Sequence, residues 1–440
     1  MSTVRKSMFS RIDGITLLLY VMLVAVGIVA VFSVEHRTTD TSLIIMSKSY
    51  MKQLVFFGYA LVIGFFILLT DSKFFSSFAF LIYTVCLFVL IVTIFAGVDV
   101  KGSRSWLGIG SFRFQPGEVA KIFTALALAK FLSLPETNFK TLKDRIIAAA
   151  IALTPAVLII LQKETGLALV YFCFFLVMYR EGLPNAILII GFSVIALMLA
   201  TLLLDRKILF VVLTLLAALI AWGMRITLRR KVIARVILIG CWLLIILFSQ
   251  VAVPFAFKHV LQKHQIERIY STIGKEVPDE YDKAVMAGEE KKTNGSEYNV
   301  LQSKIAIGSG GFWGKGLLNG TSTKNQFVPE QNTDFIFCAI GEQFGFVGSA
   351  LLIILYVSLM LRIIFLGERQ RSDFTRIYAY CVACILFFHF AVNISMTIGL
   401  MPVIGITLPF LSYGGSSLLS FSILIFILVR LDADRQAMIR

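Results

Sequence analysis

Four stretches of this 440-residue chain carry cationic and carboxylate side chains beside long apolar runs. Arginine and lysine suit a phosphate-bearing ligand, and carboxylates suit proton transfer. The first stretch is Lys101-Gly102-Ser103-Arg104-Ser105-Trp106, continuing from Ser111 through Gln115-Pro116-Gly117-Glu118 to Lys121. Pro116 fits the first position of a helix and Glu118 its first turn, which places Lys121 one turn in. A lysine there can snorkel to a membrane interface or hold an anion, and the sequence leaves both open. The second stretch, Gln162-Lys163-Glu164-Thr165-Gly166, sets a charged pair between two short apolar runs and also reads as a tight turn. The third contains Arg268, Asp279, Asp282 and Lys304 and leads into Val328-Pro329-Glu330-Gln331-Asn332-Thr333-Asp334. The fourth is Met401-Pro402-Val403-Ile404-Gly405, followed by Leu408 to Ser417 with Ser412 inside it. Non-helical backbone next to apolar runs is tolerated only where protein buries it or a wet cavity receives it, so this last stretch suggests a groove.

Several motifs carry no chemistry. The run 308–316 (GSGGFWGKG) resembles a phosphate loop, but Ser309 stands where a glycine is needed and Gly316 follows Lys315 in place of Ser or Thr. Asn294-Gly295-Ser296 and Asn319-Gly320-Thr321 match a glycosylation sequon that is frequent by chance. His389 has no second ligand one turn away and reads as a packed or hydrogen-bonded residue. Cys381 and Cys384 lie within an apolar run and read as packing residues, and the six cysteines give no disulfide framework.

The elements that must position these stretches are membrane helices. Apolar residues make up 58% of the chain and charged ones 15%, more apolar surface than a soluble core of this length can hide. Crossing the hydrocarbon layer takes about 18 or more apolar residues as a helix. About twelve apolar runs occur, near 15–33, 54–70, 74–96, 118–132, 146–161, 166–179, 185–203, 208–223, 235–254, 345–364, 376–399 and 416–430. The first is too long, and lacks the cleavage site, for a secretory signal. The expectation is an all-α polytopic protein, one membrane domain over 1–440, with both termini cytoplasmic. With the N-terminus inside, Lys140 to Arg145, Arg180, Arg225 to Arg235, Arg362 to Arg376 and Arg430 to Arg440 all fall inside. The net charge of +15 therefore reports orientation, and a nucleic-acid partner loses its motive. One large polar loop, 256–333, falls outside, with a charge-rich middle at 275–297 and an apolar, glycine-rich end at 300–312.

Four blocks together resemble a known family: KGSRSWLGIGSFRFQPGEVAK (101–121), QSKIAIGSGGFWGKGLLNGT (302–321), FVPEQNTDFIFCAIGEQFGFVG (327–348) and MPVIGITLPFLSYGGSSLL (401–419). They resemble the shape, elongation, division and sporulation (SEDS) proteins, the RodA/FtsW-like family, and the first two blocks look more like its RodA branch. The resemblance implies a peptidoglycan glycosyltransferase for cell elongation and shape. It would polymerise lipid II, the undecaprenyl-pyrophosphate-linked disaccharide peptide, at the outer face of the bacterial cytoplasmic membrane. The partner would be a class B penicillin-binding protein transpeptidase. No cofactor is required, although a divalent cation stays open. The family's ten-helix core implies that about two helices are inserted within 185–250. Three departures stand out: Glu164 replaces an aspartate, Ser105 stands where an arginine commonly precedes the tryptophan so that Arg104 takes its role, and Lys292 falls where the loop aspartate is expected.

The site implied in this way has Arg104, Lys121 and Lys304 on the pyrophosphates, Glu118, Glu330 and Asp334 positioning those cations, and Trp106 and Ser412 lining the substrate. The catalytic base is Asp279, counted forward from Arg268, with Asp282 second. A lipid II flippase or transporter and a division paralogue are the competing readings. Neither inverted repeats nor midplane charges, which a transporter calls for, are visible in the sequence.

Overall fold

In the computed structural model, residues 11–36, 45–100, 103–109, 112–260 and 295–435 are described, together with Ile266 and Tyr270. Asp279 and Asp282, and with them most of the charged middle of the loop, lie outside the described residues. The chain forms two compact units, Met1–Leu183 with Asn299–Arg440, and Pro184–Tyr298.

All twelve apolar runs fall on helices. In the first unit these are α1 (Gly14–Glu35), α2 (Ser49–Leu69), α3 (Ala79–Ala96), α4 (Pro116–Leu132), α5 (Leu142–Leu161) and α6 (Thr165–Arg180). The second unit carries α7 (Asn185–Leu203), α8 (Arg206–Gly223) and α9 (Val232–Lys258). The first unit resumes at Asn299, within α10 (Gly295–Ser309), and continues with α11 (Ile336–Glu368), α12 (Asp373–Thr397) and α13 (Gly415–Ala433). Nine helices among the described residues are long and apolar enough to cross a membrane: α1, α2, α3, α5, α8, α9, α11, α12 and α13. The helices over 118–132, 166–179 and 185–203 fall short in length or hydropathy. The protein is therefore mostly helical. The all-helical expectation needs one correction, because 98–114 forms a small antiparallel sheet in the order β1 (Val98–Val100), β2 (Ser103–Ile109), β3 (Phe112–Phe114). Val98 pairs with Trp106 and Leu107 with Phe114. The alternation of small, polar and β-branched residues across two turns carried this signal, which a reading tuned to helical periods misses.

Local sequence explains the helix geometry. Pro155 inside α5 has no amide to give the carbonyl of Ile151, and the Tyr83 phenol on α3 donates to that carbonyl at 2.9 Å. The carbonyl that the proline leaves without a helical donor is thus also a contact between helices. In the first unit α13 is the central helix, buried along nearly all its length. Tyr20 of α1 packs edge-on against Phe410 and against Phe426 of α13, and its hydroxyl shares a 2.8 Å hydrogen bond with Ser422. In the second unit Val253, Phe257, Ile266 and Tyr270 form a separate apolar cluster, flanked by Met198 and Phe248.

One end of the first unit is a layer of ion pairs. Asp13 caps α1 by accepting from the Thr16 amide at 3.0 Å, and the Arg362 guanidinium donates to the same carboxylate. Arg369 donates to Asp432, Arg430 donates to the carbonyl of Thr70 at 2.6 Å, and Arg376 pairs with Glu181 at 3.0 Å. Burial alone would raise the Asp13 carboxyl, but the bonds from Arg362 and Thr16 outweigh it and hold the group down at about 2. Since the folded value lies below the unfolded one of 3.8, this stabilisation is complete above that value and is lost as pH falls toward 2. Removing one member of a mostly buried pair costs about 3 kcal/mol. Asp13→Ala should lower the thermal unfolding midpoint in detergent at neutral pH, and the gap to the parent should close as the pH approaches 2. A gap independent of pH would contradict this.

Candidate active site

The opposite end of the first unit collects the first, second and fourth chemical stretches and the tail of the third. Pro116 occupies the first turn of α4, as its fixed backbone angle and missing amide favour, and Glu118 follows in the same turn. Three residues on, Lys121 lies on the same helical face, and its Nζ sits 2.6 Å from Glu118 Oε2. The lysine is fully buried. Its ammonium lies 3.7 Å from the centre of the Phe421 ring and 3.4 Å from His389 Nε2. His389 Nδ1 is 3.2 Å from the carbonyl of Thr407, so that nitrogen carries the proton and Nε2 faces Lys121 as an acceptor. Ser420 adds a hydroxyl to Glu118 at 3.3 Å. Lys121 therefore points into the protein, and the snorkelling alternative does not describe it.

Above this pair the chain between α12 and α13 is irregular, and every turn of it is tied down. Asn393 donates both amide hydrogens, to Asp334 O at 2.9 Å and Ile406 O at 2.7 Å. The Ser412 hydroxyl accepts from the Leu408 amide at 2.8 Å and donates to the carbonyl of Thr333 at 2.5 Å. The Tyr413 amide donates to Asn332 O, and the Gln115 amide donates to the Ser416 hydroxyl at 3.2 Å. Ser412 is buried and spends its hydroxyl on main chain, which makes it a brace between the third and fourth stretches. The Gln115 bond brings the N-termini of α4 and α13 side by side. The positive ends of two helix dipoles therefore lie together, a setting that favours an anion.

The second stretch joins from the side. Glu164 accepts from Ser103 at 2.5 Å and from Ser105 at 3.0 Å, so two departures from the family pattern are hydrogen-bond partners. Gly166 lies two residues on, and a side chain there would run into the carbonyl of Ile404. Because strand side chains alternate, Ser103 and Ser105 facing Glu164 puts Arg104 and Trp106 on the other face of β2. Arg104 is exposed and Trp106 half-buried. Lys304 is exposed on α10, and the end of its side chain lies over Gly399, whose left-handed backbone (φ 78°) leaves room for it. The Asp334 carboxylate lies beside Gly405. Glu330 is exposed, with a positive φ of 55°, and its carboxylate accepts from the Thr333 hydroxyl at 3.2 Å.

Two carboxylates were not singled out by the sequence. Glu35 accepts from the Ser49 amide and hydroxyl, each at 2.5 Å, and from Asn332 at 3.2 Å, pinning the start of the Asn332–Asp334 segment to α1 and α2. Burial and the nearby Glu35 charge raise the Tyr413 phenol above its ordinary range. Glu342 is fully buried and accepts from Lys315 at 2.9 Å, from the amides of Ser322 and Thr323 at 2.8 and 2.9 Å, and from the Thr323 hydroxyl at 2.8 Å. Lys315, the lysine of the false phosphate loop, is thus consumed by a structural lock. A lone acid at one end of an apolar run was the available signal for both. Among the described residues no cluster of His, Cys, Asp and Glu could hold a metal ion.

The model of the FtsW, RodA and SpoVE family, described as cell cycle proteins, matches residues 14–210 and 207–437. RodA of Treponema pallidum, named a peptidoglycan glycosyltransferase, is 30% identical over 443 residues, covering 96% of this chain and 98% of its own. MrdB of Helicobacter pylori, also named a peptidoglycan glycosyltransferase, is 31% identical over 391 residues, 88% of this chain and 83% of its own. The crystal structure of Thermus thermophilus RodA superposes with a TM-score of 0.61 at 22% identity, over 97% of this chain and 98% of that one. A chain from a peptidoglycan synthase complex that coordinates polymerization and crosslinking superposes with a TM-score of 0.67 at 24% identity, over 96% and 98%. These superpositions match the helical fold, and the family match runs through all the stretches that meet around Lys121: the chain belongs to the FtsW, RodA and SpoVE family.

Proposed function

We propose that this protein is a peptidoglycan glycosyltransferase that polymerises lipid II into glycan strands for cell elongation, at the outer face of a bacterial cytoplasmic membrane. The observation that carries the reading is the fully buried Lys121–Glu118 pair beneath adjoining N-termini of α4 and α13, among segments shared with relatives named for that activity. Buried positive charge and oriented amides favour a diphosphate, and they do so most where it gains charge as a leaving group. In the reaction the sugar hydroxyl of one lipid attacks the anomeric carbon of the other. The new C–O bond forms as the bond to the diphosphate breaks, and a carboxylate takes the hydroxyl proton. Asp279 is assigned that proton, with Asp282 second, both from the sequence. Arg104 and Lys304, exposed at the same end of the unit, are placed to meet phosphate directly. Lys121 acts from below as a fixed charge, with Glu118 and His389 setting its position. Asp334 borders the groove at Gly405, and Trp106 stands on the face of the hairpin that carries Arg104. The glycan partner would be a class B penicillin-binding protein, in keeping with the complex in which the structural neighbour occurs.

The membrane arrangement we infer has twelve spans with both termini in the cytoplasm. Helices of the first unit run alternately between the ion-pair layer and the site. Arg180 at the end of α6 belongs to the ion-pair layer, where it bonds Glu368 at 2.7 Å, whereas Lys304 belongs to the site end. The intervening chain must cross an odd number of times, and its described residues hold three apolar helices, α7, α8 and α9, two more than a ten-helix core needs. Membrane-impermeant thiol reagents should fail to label a cysteine at position 230 in intact cells and should label it after permeabilisation. Labelling from outside would reverse the topology.

Two sets of variants test the chemistry with lipid II as substrate. Lys121→Met leaves Glu118 buried and unpaired, which lowers both stability and polymerisation, whereas Lys121→Met with Glu118→Gln should recover stability without recovering polymerisation. Recovery of both would make the pair purely structural. Loss of a general base typically lowers a rate about 100- to 10,000-fold. Asp279→Asn should show a loss of that order and Asp282→Asn should not, and a parental rate for Asp279→Asn would place the base elsewhere.

A further inference from the structure

The glycine-rich run 308–316 departs from the phosphate-loop pattern, and its backbone is spent on another helix. At Gly345 (φ 63°) α11 leaves helical geometry, and the bonds that the amides of Phe346 and Val347 would make to Glu342 O and Gln343 O are broken. The loop is spliced into the gap. Phe346 N donates to Gly311 O at 3.0 Å and Val347 N to Phe312 O at 3.2 Å, while Glu342 O accepts from Lys315 N at 3.1 Å and Gln343 O from Gly316 N at 2.9 Å. All four backbone groups that the kink would orphan are paired, which is the condition for a broken helix at membrane depth. Gly310 and Gly314 are required because any side chain there would meet the α11 backbone. The Lys315–Glu342 bond locks the loop from beneath.

This rigid mount carries three large aromatic residues that face outward. Phe312, Trp313 and Phe346 are 58%, 77% and 64% exposed. Phe312 packs edge-on to Trp313 at 5.1 Å and stacks on Phe346 at 5.7 Å. The group continues the apolar face of α11 made by exposed Leu351, Ile354, Leu361 and Phe365. From Phe346 to Arg369, in the ion-pair layer, the helix rises about 34 Å at about 1.5 Å per residue, against a hydrocarbon thickness of about 30 Å. The aromatic group therefore lies one bilayer thickness from the basic layer, at the level where tryptophan prefers the boundary of headgroups and acyl chains.

We propose that Phe312, Trp313 and Phe346 form an interfacial foot seated in the phospholipid boundary at the site end of the protein. Through the Glu342 lock, which also fixes Ser322 and Thr323, the foot sets the height above the bilayer of the chain leading to Asp334. This rests on the chain spanning a membrane and not on the assigned reaction, so its test reads no activity. The full-length protein and Trp313→Phe are reconstituted in phospholipid vesicles, and the difference between their emission spectra isolates Trp313. That difference should be blue-shifted relative to tryptophan in water, quenched more by lipids brominated near the headgroup than by lipids brominated near the chain end, and largely insensitive to iodide. Quenching by iodide without quenching by brominated lipid would place Trp313 in water. Protection from both would mean that another protein surface, such as a second copy, covers it. Stronger quenching near the chain end would place it in the hydrocarbon. Each of these overturns the foot.

Discussion

A lysine with no exposed surface, deep in a membrane protein, can keep its charge only if the protein answers it, and the site is organised around that demand. Glu118 one turn earlier provides the counter-charge, the Phe421 face adds a contact worth about 2 kcal/mol when desolvated, and His389 offers a lone pair. Each partner then fixes a different element. Glu118 binds Ser420 on α13, His389 holds Thr407 in the irregular segment, and Thr407 shares a 2.9 Å bond with Ser417. One buried charge thus aligns α4, α12 and α13 and the turn between the last two. In low dielectric such an arrangement is costly to assemble, and its bare replacement by apolar residues would often be neutral or stabilising. Its presence argues for a function beyond stability.

The second constraint is that backbone polar groups near the membrane must be paired. Two breaks in regular structure satisfy it by different means. Between α12 and α13 the side chains of Asn393 and Ser412 take the carbonyls and amides of the broken segment. At Gly345 a loop supplies main chain to main chain. The first solution brings polar side chains and helix ends together, a setting suited to a ligand. The second is closed and stiff, suited to a mount. The same physical rule therefore separates the part of the structure that does chemistry from the part that holds it in place.

Much of this was legible in the sequence. The twelve apolar runs mark helices because hydropathy dominates any signal in a chain whose solvent is lipid, and Pro116 with Glu118 correctly places the start of α4. Lys121 was visible as a residue, but its partners were not: His389 lies 268 positions away and reads alone as packing. The β1–β3 sheet was hidden because its strands are three and seven residues long and sit between strong helical signals. Ser412 looked like a substrate contact, since nothing in the sequence reveals that Thr333 and Leu408 use up its hydroxyl. Glu35 and Glu342 were overlooked as the ends of apolar runs, although an isolated acid in such a place is itself a cue.

We propose that the chain itself, with no nucleotide and no partner enzyme, joins the sugars of two lipid-linked substrates at the end where Lys121 is buried. Incubating the purified protein with lipid II alone and resolving the products by size tests this most directly. The account predicts a ladder of glycan strands together with released undecaprenyl pyrophosphate. Lipid II recovered unchanged, by a protein that moves it across vesicle bilayers, would contradict the account and favour a transporter.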